Sequence, residues 1–296
     1  MSASRASRQA ADFTLVLAGG GARGYAHVGV LRALEAEELS PSAIVGVSMG
    51  ALVGTAFSLR EDWIEAVMSI DTSRFPRPRD AAGGHGEGHG RLRTALGRVH
   101  AAWSMLTGWG APDEAVEAGK AMLDTLFGDR DLGRGRIPVV VCATDLLAGS
   151  RVEIHSGLAR EAVYASCALA GILPPAEIDG RVLVDGVYAD VAPIDVGRGM
   201  KPDVVIAVDP GQPMVASEIK NGAQAVLRAM EICHRKHAEM RIGDADLVIR
   251  PEFGRYIDTL DFDARRACVA AGLKAARKGM PGIKRLLEAR KDTSAT

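Results

Sequence analysis

Aromatic side chains are scarce in this chain: Phe, Trp and Tyr together make up 4% of its 296 residues. Few platforms are left for stacking on bases. An excess of charge of either sign is also missing, since 36 basic and 37 acidic residues leave a formal net charge of −1. Binding a phosphate backbone needs concentrated positive charge, so nucleic acid is not the expected partner. Cysteine occurs four times, at Cys142, Cys167, Cys233 and Cys268, and never as a Cys-x-x-Cys pair. Such isolated cysteines, most of them in apolar surroundings, read as buried free thiols in a reducing compartment. No uncharged apolar run approaches the length of a membrane span. Residues 1–10 are small and polar and lack the apolar core of a secretion signal. The expectation is a cytoplasmic protein whose contact with a membrane is at most peripheral.

What the chain does have is glycine, 34 residues of it, and two glycine-framed turns lie close together near its front. The first, Gly19-Gly20-Gly21-Ala22-Arg23-Gly24, follows the apolar run 13–17. The second, Gly46-Val47-Ser48-Met49-Gly50, follows Ala43-Ile44-Val45 and leads into Ala51-Leu52-Val53. Both read as strand, tight turn, helix. Further strands are expected at 137–144, 151–154, 181–184, 204–208 and 246–250. Helices are expected at 22–37, 49–60, 61–70, 113–127, 157–169, 217–241 and over 262–290. Alternating strands and helices predict an α/β fold of three layers, α/β/α, around a largely parallel central sheet. Residues 1–12 read as a disordered leader, 13–290 as one domain and 291–296 as a tail. Within the domain, residues 74–127 look like an inserted loop and helical cap, because Gly83 to Gly90 suits no regular element.

Gly-x-Ser-x-Gly between a strand and a helix strains a serine outward, where its hydroxyl can attack a substrate. Ser48 is therefore the candidate nucleophile, with Gly46, Val47, Met49 and Gly50 forming its elbow. An ordinary N-cap serine would not need glycine on both sides. The first turn aims backbone N–H groups at a point in front of a helix, which suits a developing negative charge. It also satisfies Gly-x-Gly-x-x-Gly, but the acidic residue that a dinucleotide ribose needs is replaced by Ser48 at the next strand end. A Walker loop is excluded because Gly-Lys-Ser/Thr is absent.

A serine needs a base. Among seven histidines, only His234 and His237 follow the later acidic strand ends in the order Ser, Asp, His, and they sit in a polar helical stretch that reads as a solvated face. Asp185 is the stronger candidate: it ends a short strand, precedes Gly186, and would become a better base if desolvated. His85, Glu87 and His89, and separately Cys233, His234 and His237, offer metal-ligand types without a framed spacing, so no metal or cofactor is expected. Trp103 and Trp109, among arginines, could touch lipid but fit packing equally well.

These blocks resemble the patatin-like phospholipases, and within them the bacterial lipid acyl hydrolases. The resemblance rests on residues 19–24 with His27, Gly29 and Val30, then Gly46 to Gly50, Ala165-Ser166 through Pro174-Pro175, and Asp185-Gly186, in that order. It covers roughly residues 13–195, and the 204–209 and 245–251 segments are also similar. It implies a Ser–Asp dyad without histidine, with Ser48 as nucleophile and Asp185 as base, and no metal. It implies an oxyanion hole from the glycine turn, Gly19 to Gly24, built on the N–H groups of Gly20, Gly21, Ala22 and Arg23. The implied substrate is a lipid or other acyl ester. One departure from the family pattern is Val187, where Gly or Ala is usual. Two other readings compete with a hydrolase: a catalytically silent binding or regulatory protein of the same fold, and a dinucleotide-binding oxidoreductase.

Overall fold

A computed structural model describes residues 12–73, 113–216, 219 and 222–293. The expectations for the 1–12 leader (save Asp12), the 74–90 loop, His85, Glu87, His89, Trp103 and Trp109 lie outside the described residues. The strands are β1 (Phe13–Leu17), β2 (Ala43–Val47), β3 (Val139–Asp145), β4 (Ser150–Ile154), β5 (Ala176–Ile178), β6 (Arg181–Asp185), β7 (Val204–Val208) and β8 (Leu247–Ile249). They form one sheet in the order β5-β6-β3-β2-β1-β7-β8, with β4 paired to β3. The β3-β2-β1-β7-β8 stretch is parallel throughout. The β4, β5 and β6 pairings are antiparallel and gather at one side.

The parallel strands read as continuous apolar runs because both faces of the sheet are covered. Alternate residues divide between the two faces. Leu15, Leu17, Ile44, Val141 and Ile206 join the larger core. Val16, Val45, Val47, Val140 and Val205 join a smaller one. Helices α1 (Ala26–Ala36), α2 (Met49–Leu59), α3 (Trp63–Met68), α4 (Asp113–Phe127), α5 (Ala159–Cys167) and α8 (Arg265–Thr293) contribute to the larger side. The other side is covered more thinly, by α6 (Ile194–Gly199) and by the C-terminal end of α7 (Gly222–Arg241), which contributes Ala238. The chain is therefore an α/β fold of three unequal layers.

Two expected elements differ in form, and one strand was not expected. The helix expected from residue 22 begins with a 3-10 turn, Gly21–Tyr25, before α1. The helices expected over 262–290 are a 3-10 turn, Phe262–Ala264, followed by the single helix α8, which runs through Pro281 to Thr293. Strand β5, three residues long, had no signal in the apolar pattern.

Candidate active site

Strand β2 delivers Ser48 at its C-terminal end, and α2 begins on the next residue. The turn between them is tight enough to put Ser48 at φ 54° and ψ −124°, a region that a side chain enters only under strain of about 1–3 kcal/mol. Both flanking glycines are required by close approach. A Cβ on Gly46 would stand 2.6 Å from Ala51 Cα, and one on Gly50 would stand 2.2 Å from the Leu17 carbonyl oxygen. The backbone N–H of Ser48 donates to Ser166 Oγ at 2.8 Å, and the Ser166 hydroxyl donates to the Cys142 carbonyl at 2.6 Å. Ser166, fully buried on α5, thus ties the elbow to β3.

Asp185 arrives from the opposite direction, since β6 runs antiparallel to β3. Its partner across the ladder is Ala143, one residue beyond Cys142, which pairs with Val47. Two residues 137 apart in sequence therefore end at one level of the sheet, on either side of β3. The chain leaves β6 so closely over β3 that a Cβ on Gly186 would come 2.3 Å from the Cys142 oxygen. Asp185 is fixed by its N–H to the Ala168 carbonyl (2.9 Å) and by the Thr144 hydroxyl donating to its own carbonyl (2.9 Å). Its carboxylate accepts from Val187 N–H at 3.0 Å and from the Ser48 hydroxyl at 2.8 Å.

Both side chains are buried, Ser48 to 8% and Asp185 to 3% of their full exposure. Burial pushes the Asp185 carboxyl up to about 7, outweighing the bonds from Val187 and Ser48 that pull it down. A carboxylate held near neutrality and bonded to a hydroxyl is suited to taking that hydroxyl's proton. Burial also pushes up the half-buried Cys167 thiol, beside Asp185 and Ser48, and keeps it neutral.

The glycine turn lies against the elbow: a Cβ on Gly24 would be 2.5 Å from that of Met49, and one on Gly19 3.7 Å from that of Ser48. Its N–H groups are not equivalent. Gly19 N–H donates to Val191 O at 3.1 Å and Ala22 N–H to Thr259 O at 2.8 Å. Arg23 and Gly24 fall within the 3-10 turn. Among the described residues, the N–H groups of Gly20, Gly21 and Met49 carry no such bond. Gly21, at φ +54°, also presses so near Thr259 O that a Cβ would sit 2.4 Å away. His27, wholly buried behind the turn, meets the Ala18 carbonyl through Nε2 at 2.9 Å and is pushed down by burial to about 4, which keeps it neutral.

Ser48, Asp185 and the glycine turn share a cavity of about 450 Å³. Leu52, Ile70, Met122, Ile172 and Phe262 give it an apolar wall. Helix α7 lines it as well, with Arg228, Met230, Glu231, His234 and Arg235. His234 therefore faces the cavity, against the expectation of a solvated surface, with its ring edge-on to Tyr188 at 5.4 Å between centroids. No histidine among the described residues hydrogen-bonds Ser48 or Asp185. No cluster of three His, Cys, Asp or Glu among them is placed to hold a metal ion. All four cysteines are free, and Cys233 is exposed rather than buried.

Residues 15–197 match the patatin-like phospholipase family. The chain belongs to that family. Within it, the chain is 31% identical over 217 residues to the Saccharomyces cerevisiae protein lysophospholipase NTE1, covering 70% of this chain and 12% of that protein. It is 33% identical over 206 residues to lysophospholipase NTE1 of Mycosarcoma maydis, covering 67% of this chain and 10% of that one. This patatin-like chain thus spans about a tenth of the length of these curated relatives. Among solved structures it is similar to VipD from Legionella pneumophila, with a TM-score of 0.47, 12% identity and coverage of 95% of this chain and 67% of that one. It is also similar to human GIVD cytosolic phospholipase A2, with a TM-score of 0.48, 12% identity and coverage of 96% and 60%. Among the described residues, no helix of this patatin-like domain is long and apolar enough to cross a membrane.

The sequence pattern missed Ser166 as a clamp on the elbow. A buried serine leaves no local trace, and its partner lies 118 positions away.

Proposed function

We propose that this protein hydrolyses acyl esters of lipids through Ser48 and Asp185. The observation that carries the proposal is the 2.8 Å bond from the Ser48 hydroxyl to a buried Asp185 carboxylate, beneath a cavity with an apolar wall. Ser48 Oγ attacks the ester carbonyl while its proton passes to Asp185. The carbonyl electron pair moves onto oxygen, and the N–H groups of Gly20, Gly21 and Met49 stabilise that oxyanion. Of the whole glycine turn, Gly20 and Gly21 are the donors assigned, because the Gly19 and Ala22 N–H groups are already bonded. Collapse of the intermediate breaks the bond to the alcohol, which leaves with the proton from Asp185. Water then adds to the acyl-serine, Asp185 takes its proton, and collapse returns that proton to Ser48 Oγ and frees the fatty acid.

Lysophospholipid is the substrate class to try first, because the relatives reported above are lysophospholipases. The apolar wall supports an acyl chain as the bound part. Purified protein should release fatty acid from lysophosphatidylcholine and p-nitrophenolate from p-nitrophenyl acyl esters. Ser48→Ala should lower both rates at least ~10³-fold. Equal rates in parent and variant would reject the proposal and leave a silent binding protein.

A further inference from the structure

Helix α7 turns mostly polar residues inward and a row of apolar ones outward. Seven residues of the helix line the cavity, and five of them, Gln224, Arg228, Glu231, His234 and Arg235, are polar; Met230 and Ala238 are the other two. The inner face is held by polar contacts. Glu231 accepts from Tyr256 Oη at 3.0 Å and from Arg228 at 3.0 Å, and Arg235 lies 3.6 Å from Asp209. The opposite face carries Val226, Ala229, Cys233 and Met240 at intervals of three, four and seven, flanked by Ile232, and all five are exposed. Val226 is 60% exposed, Ile232 45% and Met240 79%. Seven large apolar side chains are exposed among the described residues, and five lie between Val215 and Met240. Isolated exposed apolar residues need no explanation, but a concentration on one helix and the segment before it does.

We infer that the outer face of α7, with Val215 and Ile219, is a docking surface for a phospholipid bilayer. A helix with an exposed apolar stripe can lie in the plane of a lipid interface, its apolar side chains inserted. One observation favours lipid over a second copy of this chain. The patch is continuous with the cavity mouth: Ile219 is exposed and lines the cavity, and Met214, beside Val215, lines it too. Docking on this face brings the cavity mouth to the layer that holds the substrate. The inference rests on the lipid ester reading above, and its test separates the two.

The test is flotation of the full chain carrying Ser48→Ala with vesicles of phosphatidylcholine and phosphatidylglycerol, so that binding is read without hydrolysis. The protein should float with the vesicles. Adding Val226→Glu and Ile232→Glu should reduce partitioning at least ~10-fold. The same two changes in the active chain should leave turnover of a short, soluble ester within about twofold, since neither residue lines the cavity. Val226→Trp with Ile232→Trp should instead raise partitioning, which guards against loss of fold in the Glu variant. Failure of the protein to float, equal flotation of the Glu variant, or no gain in the Trp variant overturns the inference. So does a dimer in solution that the Glu changes dissociate. A chain that floats but hydrolyses no ester would sink the proposed activity and leave the docking surface standing.

Discussion

Ser166 holds Ser48 by its backbone rather than by its hydroxyl, accepting the Ser48 N–H at 2.8 Å while donating to Cys142 O at 2.6 Å. Ser166→Ala would leave a buried donor and a buried acceptor unpaired, each costing about 1–3 kcal/mol. It should lower the melting temperature and, because the positive-φ elbow loses its tie, lower kcat more than it raises KM. Thermal melts paired with ester kinetics check this. Unchanged kcat in the folded variant would mean that the elbow holds itself.

Asp185 sets a pH dependence of both activity and stability. Burial raises its pKa from 3.8 to about 7, so the folded state binds the proton more tightly than the unfolded chain does. Its contribution to stability is full in acid and is lost as pH rises through about 7. Asp185→Asn, neutral throughout, should therefore be more stable than the parent above pH 7, by at most roughly 4 kcal/mol, with the gap closing toward pH 4. Activity runs the other way. The parent's kcat/KM should climb about tenfold per pH unit below neutrality and level off above it, as ionised Asp185 accumulates. A difference in melting temperature that is constant between pH 4 and 8 would contradict the assignment.

Val187 occupies the space that a side chain at Gly19 would need: a Cβ there would lie 2.4 Å from Val187 Cγ1. Gly19→Ala should therefore displace the turn and reduce kcat/KM at least ~10-fold, on the scale of losing an oxyanion donor. Val187→Ala in the same chain should restore much of the loss. A double variant no better than Gly19→Ala would mean that the steric pair is not what sets the turn.

Helices α1 and α8 cross at two glycines. A Cβ on Gly29 would stand 2.0 Å from Val269 O, and one on Gly272 would stand 1.9 Å from Ala26 O. Both obstacles are backbone, so the helices must separate to admit a methyl group. Gly29→Ala and Gly272→Ala should each destabilise by about 1–3 kcal/mol or more, read by denaturant titration. Changes within ±0.5 kcal/mol would show that the crossing yields easily.

Local turn chemistry was the readable part of the sequence. Gly46 to Gly50 and Gly19 to Gly24 announce strand-turn-helix units within a few residues, and the apolar runs of β1, β2, β3 and β7 announce a sheet covered on both faces. What depended on distant partners was not readable. The oxyanion donors differ because Val191 and Thr259 reach back to Gly19 and Ala22, which no spacing reveals. The polar stretch around His234 suggests solvent, yet its inner face lines a cavity while apolar Val226 and Met240 point outward. The pattern over 262–290 gave helices without their number, and they are one, α8, which runs through Pro281.

The most direct test of the central claim is to treat the protein with a fluorophosphonate and map the adduct by peptide mass. The account predicts a single adduct on Ser48, slowed by orders of magnitude in Asp185→Asn and absent in Ser48→Ala. Labelling at another residue, or equal labelling rates in the parent and Asp185→Asn, would contradict it.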